Sequence, residues 1–420
     1  MYSMQSNCRI HIIRNAVVLR KKRQKQENMK QTLNDRRPFG ECKNVPKSRT
    51  CMLLVTHGCN LNCVYCYEKF KNAAKQLDVE LAKQIILSEA EKVKRDSTIE
   101  SLDIEFMGGE PLLRFDLIKH VVEWLEDGAL DIPFICYGTT NGTLLNDDMK
   151  EWFKAHKNTI VLGASYDGVS GSQSMNRGRK AEAIDMDFFR DTWPFQGFKM
   201  TISKESLPYL YESLVFAAQH DYSVHASLAH GVDWNIQDAE LLSVELNKLR
   251  KFYIQNPQYE PSNMLTKCLG GLGKRTNVQM RFCGSGTYMT TYDVDGSKYG
   301  CHMFSPLVLG DRAIKLEDIT DWSDTDYFTD DTCRGCGLSE WCPTCIGFNM
   351  LTRGSVDKRD HRWCAMIAVQ AMAACQYQLE YFSKHAAENE LTPYEAVVLK
   401  SALDAYKYLV NVDFRNKFPQ

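Results

Sequence analysis

Between Thr50 and Ala229, six short apolar runs alternate with amphipathic stretches, and this alternation limits the chain more than any other feature. The runs at Cys51–Thr56, Leu102–Met107, Phe134–Thr139, Ile160–Tyr166, Lys199–Ser203 and Val224–Ala229 read as strands. Between them, Val79–Arg95, Arg114–Glu126 and Leu207–Gln219 carry apolar residues every three or four positions, the period of a helix with one buried face. Strand and helix in strict succession predict a parallel sheet, because parallel strands need a crossover between them. Six units close part of an eight-unit barrel. In any such layout, ligands gather at the carboxyl ends of the strands.

The motifs fall at those ends. After the first strand comes His57-Gly58-Cys59-Asn60-Leu61-Asn62-Cys63-Val64-Tyr65-Cys66-Tyr67, which spaces three thiols as C-x3-C-x2-C. A structural zinc site takes four protein ligands, whereas a reactive metal centre keeps one position open. Soft thiolates suit zinc or iron–sulfur clusters. The second strand ends in Gly108-Gly109-Glu110, where paired glycines let backbone come close to a ligand and the carboxylate can accept from an ammonium group. The third ends in Thr139-Thr140-Asn141-Gly142-Thr143, and the fourth in Ser165-Tyr166-Asp167-Gly168 followed by Asn176-Arg177. Each alone marks a turn. Their order, one at each successive strand end, needs more than turns.

Beyond Asn256 the texture changes. Cys283 and Cys301 enclose a C-x12-G-x4-C pattern with a hairpin signal at Asp295-Gly296, followed by Cys333-x2-Cys336-x5-Cys342-x2-Cys345 and then Cys364. On spacing alone the two C-x2-C pairs equally suit a zinc ribbon, but seven thiolates exceed one zinc site. Ala365–His385 and Thr392–Val410 read as two helices. The expected divisions are a basic extension over 1–49, a catalytic core over 50–255, a Cys-rich domain over 256–365 and C-terminal helices over 366–420.

Composition settles less. Residues 1–50 hold thirteen Lys or Arg against three Asp or Glu, hence +10, leaving −12 for the remainder of a chain whose net charge is −2. This basic front reads as a solvated extension, and no nucleic-acid partner is expected. No run of eighteen uncharged apolar residues occurs, so no membrane span is expected. Sixteen cysteines in a chain without export features point to reduced thiols and a cytoplasmic protein.

Taken together, residues 50–365 resemble the radical S-adenosylmethionine (SAM) enzymes that bear a SPASM domain. The resemblance implies a partial (β/α)6 TIM-type barrel, then a small Cys-rich iron–sulfur domain and C-terminal helices. It implies that Cys59, Cys63 and Cys66 hold a 4Fe-4S cluster whose fourth iron chelates SAM, and that an electron from this cluster releases a 5′-deoxyadenosyl radical. Tyr65 would pack near adenine, Gly108, Gly109 and Glu110 would receive the methionyl amino group, and Thr140, Asn141, Ser165 and Arg177 would meet carboxylate or ribose. Two auxiliary 4Fe-4S clusters are implied, one on Cys283, Cys301 and Cys345, the other on Cys333, Cys336, Cys342 and Cys364. Only two residues precede Cys345 where the family has three, so Cys268 completes the first auxiliary cluster or an iron stays open.

The implied task is modification of a ribosomally made precursor peptide, such as a thioether or carbon–carbon crosslink, fed by an external flavodoxin- or ferredoxin-type electron donor. An alternative within the family is formylglycine formation by anaerobic sulfatase maturases. Those enzymes carry Asp after the cysteine matching Cys301, where this chain has His302, expected here as a base titrating near neutrality. Outside the enzymes, the rival is an iron–sulfur or zinc redox sensor.

Overall fold

A computed structural model describes residues 48–179, 181–275, 283–342, 344–388 and 390–411. The basic extension, but for its last two residues, lies outside the described residues.

All six expected strands form. They are β1 (Ser48–His57), β3 (Ser101–Gly108), β4 (Phe134–Thr140), β5 (Ile160–Ala164), β6 (Phe198–Ile202) and β7 (Val224–Leu228), with a short exposed strand β2 (Asn72–Gln76) laid antiparallel on the end of β1. Seven helices accompany them: α1 (Val79–Arg95), α2 (Phe115–Trp124), α3 (Asp147–Ala155), α4 (Ser170–Arg177), α5 (Met186–Thr192), α6 (Leu210–Gln219) and α7 (Ile236–Gln255). Helix α1 spans the expected residues end to end. Asp78 caps it by accepting from the Glu80 and Leu81 amides, and Lys92, Lys94 and Arg95 meet the negative end of its dipole. The stretch expected as one helix over 114–126 is divided into a 3-10 turn (Pro111–Arg114), α2 and a π-helical segment (Leu125–Ala129) that ends around Gly128 at φ +94°.

The parallel strands run in the order β5, β4, β3, β1, and the Ser165–Lys199 bridge carries the row on to the β6–β7 pair. The fold is therefore the expected open barrel, with one strand more. Beyond a short helix α8 (Asn263–Thr266), β8 (Met289–Tyr292) pairs in parallel with the other edge of β1 and turns back as β9 (Lys298–Tyr299). The expected boundary near residue 256 gave no hint that the Cys-rich region lends a strand to the barrel sheet.

Strand alternation sorts the two faces. Cys51, Leu53 and Val55 of β1 join Ile104, Phe106 and Leu162 in a core packed against α1 and α2, while Met52 faces a different cluster with Met289, Cys301, Met303 and Phe304. The second face of β3 buries Asp103 and Glu105 instead of aliphatic residues. A closed barrel of this type fills its interior with Val, Ile and Leu; this one lines it with charge.

The remaining helices are α9 (Pro306–Leu309), α10 (Ile346–Arg353), α11 (Trp363–Glu388) and α12 (Pro393–Leu409). The last two pack on the late barrel: Met366, Ile367 and Ala371 of α11 and Ala402 and Ala405 of α12 share one core with Leu242, Leu246 and Leu249 of α7. Among the described residues no helix is long and apolar enough to cross a membrane.

Candidate functional site

The loop carrying Cys59, Cys63 and Cys66 leaves β1 and is held from three sides. Gly109 donates to the Thr56 carbonyl at 3.1 Å and Glu110 to the Gly58 carbonyl at 2.9 Å. The Asn141 amide reaches Asn60 Oδ1 at 2.8 Å, and Asn60 Nδ2 donates to Thr143 Oγ1 at 2.8 Å. The Val64 amide donates to the Asn176 carbonyl at 2.9 Å. Ends of β3, β4 and the α4 segment thus converge on one loop, as their order along the chain predicts.

This contact explains the paired glycines. A Cβ on Gly109 would stand 2.1 Å from the Gly58 carbonyl oxygen and 2.9 Å from Cys59 Cβ, and one on Gly108, at φ +130°, would stand 2.1 Å from the Thr56 carbonyl oxygen. The close approach is between the second strand end and the Cys loop itself. Glu110 is buried and its carboxylate accepts from Thr140 Oγ1 at 2.7 Å, the Asn141 amide at 2.8 Å and the Leu112 amide at 3.0 Å. Burial pushes its pKa up against these donors. These bonds tie β3 to β4 beneath the loop.

Tyr65 and Arg177 meet at Asp167, a member of the fourth strand-end motif. Asp167 is fully buried and accepts from Arg177 Nε at 2.7 Å, the Thr201 amide at 2.9 Å, Asn176 Nδ2 at 3.3 Å and the Tyr65 hydroxyl. The Arg177 guanidinium stands 5.5 Å from the centre of the Tyr65 ring. Burial opposes its charge, yet Asp167, Tyr65 and Cys63 beside it hold the guanidinium ionised. Ser165 is buried at the same strand end, its amide bonded to the Thr140 carbonyl at 2.9 Å. A third buried carboxyl, Glu68, follows the Cys loop; burial, with Glu110 adding to it against Lys71, pushes it up to about 8.

The three loop thiols are partly buried, and burial raises each of them, Cys59 to about 11. They therefore stay protonated near neutrality, and to bind metal each would exchange its proton for it.

Inside the barrel, Lys199 Nζ donates to Thr139 Oγ1 at 2.5 Å, and burial lowers its pKa while Glu105 opposes the shift. His302 is buried against the Tyr67 ring, centroid to centroid 5.4 Å, and its Nδ1 has no hydrogen-bond partner among the described residues. Burial, with Lys199 adding to it, pushes its pKa down to about 3. Burial and the Lys199 charge thus work against the expected titration near neutrality and favour the neutral imidazole.

The remaining thiols fall into two groups. Cys283 and Cys345 are neighbours of Cys301. Cys333, Cys336 and Cys342 surround Cys364, and burial raises Cys333 to about 11 and Cys364 to about 12. Cys268 lies beside Trp341, whose Nε1 donates to its carbonyl at 2.9 Å. Among the described residues, no three His, Cys, Asp or Glu side chains close on a single metal ion.

Residues 53–182 match the Radical SAM superfamily. This segment is a radical SAM domain. Domains of this superfamily use a 4Fe-4S cluster and SAM, and the donor set here, three loop thiols wedged against a glycine pair, suits such a cluster. An uncharacterized protein of Methanocaldococcus jannaschii is 32% identical over 168 residues, 38% of this chain and 55% of its own length. The radical SAM cyclopropyl synthase TigE of Paramaledivibacter caminithermalis is 22% identical over 208 residues, 44% of this chain and 42% of its own. The chain thus spans about half the length of these relatives. Among solved structures, native anSMEcpe with bound AdoMet and Kp18Cys peptide aligns at TM-score 0.53 and 14% identity, covering 84% of this chain and 99% of that one. SuiB of Streptococcus suis bound to precursor peptide SuiA aligns at TM-score 0.52 and 15% identity, covering 76% of each. Both alignments cover more of this chain than the segment that matches the superfamily.

Proposed function

We propose that this chain cleaves SAM reductively and modifies a ribosomally made peptide, with Cys59, Cys63 and Cys66 as ligands of the cluster that starts the reaction. The observation that carries this reading is the interlock of the Cys loop with Gly109, Glu110 and Asn141, because it fixes three thiols at the mouth of a barrel whose interior is polar. When bound, the cluster and SAM supply a carbon radical that abstracts hydrogen from an unactivated carbon. The chain's own residues do the rest. Glu110, Thr140 and Asn141 hold the loop in place, and Arg177, paired with Asp167, sets a fixed positive charge beside Cys63. Glu105, Lys199 and Tyr137 line the chamber, and the neutral His302 presents Nδ1 as an acceptor to a substrate N–H or O–H.

The groups at Cys283, Cys301, Cys345 and at Cys333, Cys336, Cys342, Cys364 are proposed as auxiliary cluster sites, giving about twelve irons per chain in all. The peptide reading is supported by the fold shared with SuiB, which was solved with its precursor peptide, and by the sequence likeness to TigE. The test is anaerobic reconstitution followed by assay for 5′-deoxyadenosine and for mass change in short peptides encoded beside the gene. Cys63→Ala should abolish 5′-deoxyadenosine, while Cys364→Ala, folded by circular dichroism, should form it without modifying peptide. A Cys364→Ala protein that modifies peptide at the normal rate would make the second auxiliary group dispensable.

A further inference from the structure

The turn before Cys333 and the segment before Cys364 are pinned to one carboxylate. Asp330 Oδ1 accepts from Thr332 N at 2.9 Å and Thr332 Oγ1 at 2.6 Å, while Oδ2 accepts from the Arg359 amide at 2.8 Å and lies 3.1 Å from His361 Nε2. This anchoring delivers the Arg359 side chain to the four-thiol group. Its Nη2 donates to Cys342 Sγ at 3.2 Å, and Cys333 and Cys364 are further electrostatic neighbours of its guanidinium. One permanent cation therefore sits against this thiol group. Arg359 also lines a cavity with Cys345, His230 and Trp363.

We propose that Arg359 sets the reduction potential of the cluster held by Cys333, Cys336, Cys342 and Cys364. The proposal rests on the reading of these cysteines as cluster ligands. Thiolates and bridging sulfides leave such a cluster anionic, and reduction adds one more negative charge. A fixed cation donating to a ligand sulfur stabilises the reduced form more than the oxidised form and raises the potential. Arg359 is a positioning residue: it acts through Cys342 and touches no substrate.

The experiment is an EPR-monitored dithionite titration of the full reconstituted chain, with the signal that is missing from Cys364→Ala assigned to this group. Arg359→Gln keeps an N–H donor without charge, and Arg359→Lys keeps charge without the planar fork. Arg359→Gln should make reduction at least tenfold less favourable, a fall of 59 mV for one electron, with Arg359→Lys between it and the wild type. A Gln midpoint within threefold of wild type overturns the proposal. Loss of the group's iron from both variants also overturns it, since the side chain would then serve assembly. If wild type and Cys364→Ala give identical spectra, the auxiliary-cluster reading itself fails, an outcome distinct from the other two.

Discussion

Replacing Asp167 by Asn tests how the site is held. The carboxylate is fully buried and serves four partners on three elements: Arg177 and Asn176 of α4, the Thr201 amide of β6 and the Tyr65 hydroxyl of the Cys loop. Asn keeps the shape, but it removes the countercharge of Arg177 and turns an NH2 group toward donors. Stranding one partner of a buried pair costs about 3–5 kcal/mol. The amide retains one acceptor oxygen, so the lower end, about 3 kcal/mol, is expected. At roughly 2–4 °C per kcal/mol for units of 150–250 residues, melting falls by roughly 6–12 °C. Differential scanning calorimetry of the reconstituted protein measures this, and a cycle with Arg177→Met supplies the control. Removing both charges leaves no stranded ion, so the double variant should recover more than half of the loss. A single-variant cost below about 1 kcal/mol, or a double variant equal to the sum of the singles, would refute the pairing as the origin of the effect.

Two further outcomes follow from geometry. Gly109→Ala would drive a Cβ into the Gly58 carbonyl at 2.1 Å, against backbone rather than a flexible side-chain tip. The strand end must withdraw from the Cys loop, costing about 1–3 kcal/mol or more, and the variant should bind about four irons fewer than wild type by elemental analysis. Glu89, buried in α1, is bonded to Arg49, Lys92 and the Tyr292 hydroxyl of β8. Burial alone would raise its pKa, but these partners overcome it and hold the carboxyl below its ordinary range. A lowered folded pKa contributes stability present above the unfolded value, about 4.5, and lost as pH falls through the folded one. Glu89→Gln should therefore be less stable at pH 7, with the deficit shrinking below pH 4.5; a deficit that stays constant down to pH 3 would rule this out.

The barrel strands were readable because each appears as a short, largely apolar run, with β1, β3 and β5 buried on both faces, and α1 was readable because its cap, stripe and basic end all agree. Strand β8 was not. Met289–Tyr292 is four residues with two threonines, and its partner in β1 lies far back in sequence, so nothing local announces the pairing. The same limit applies at the site. The type of residue at 108–110 and 140–141 was evident, but which groups they satisfy was not: glycines suited to a ligand press on the Cys loop, and a carboxylate suited to an ammonium is bonded by three donors of its own chain. His302 is the instructive case. Its neighbour Cys301 suggested a reactive position, but the pKa depends on burial beside Tyr67 and on the Lys199 charge, and both arise only when β6 and the Cys-rich region meet. Arg359 carries no spacing signal at all, since its contact with Cys342 follows from an anchor at Asp330, 29 residues earlier. Spacing along the chain reports which groups can hold a metal; the environment that tunes them is built from residues far apart in sequence, and only the fold brings them together.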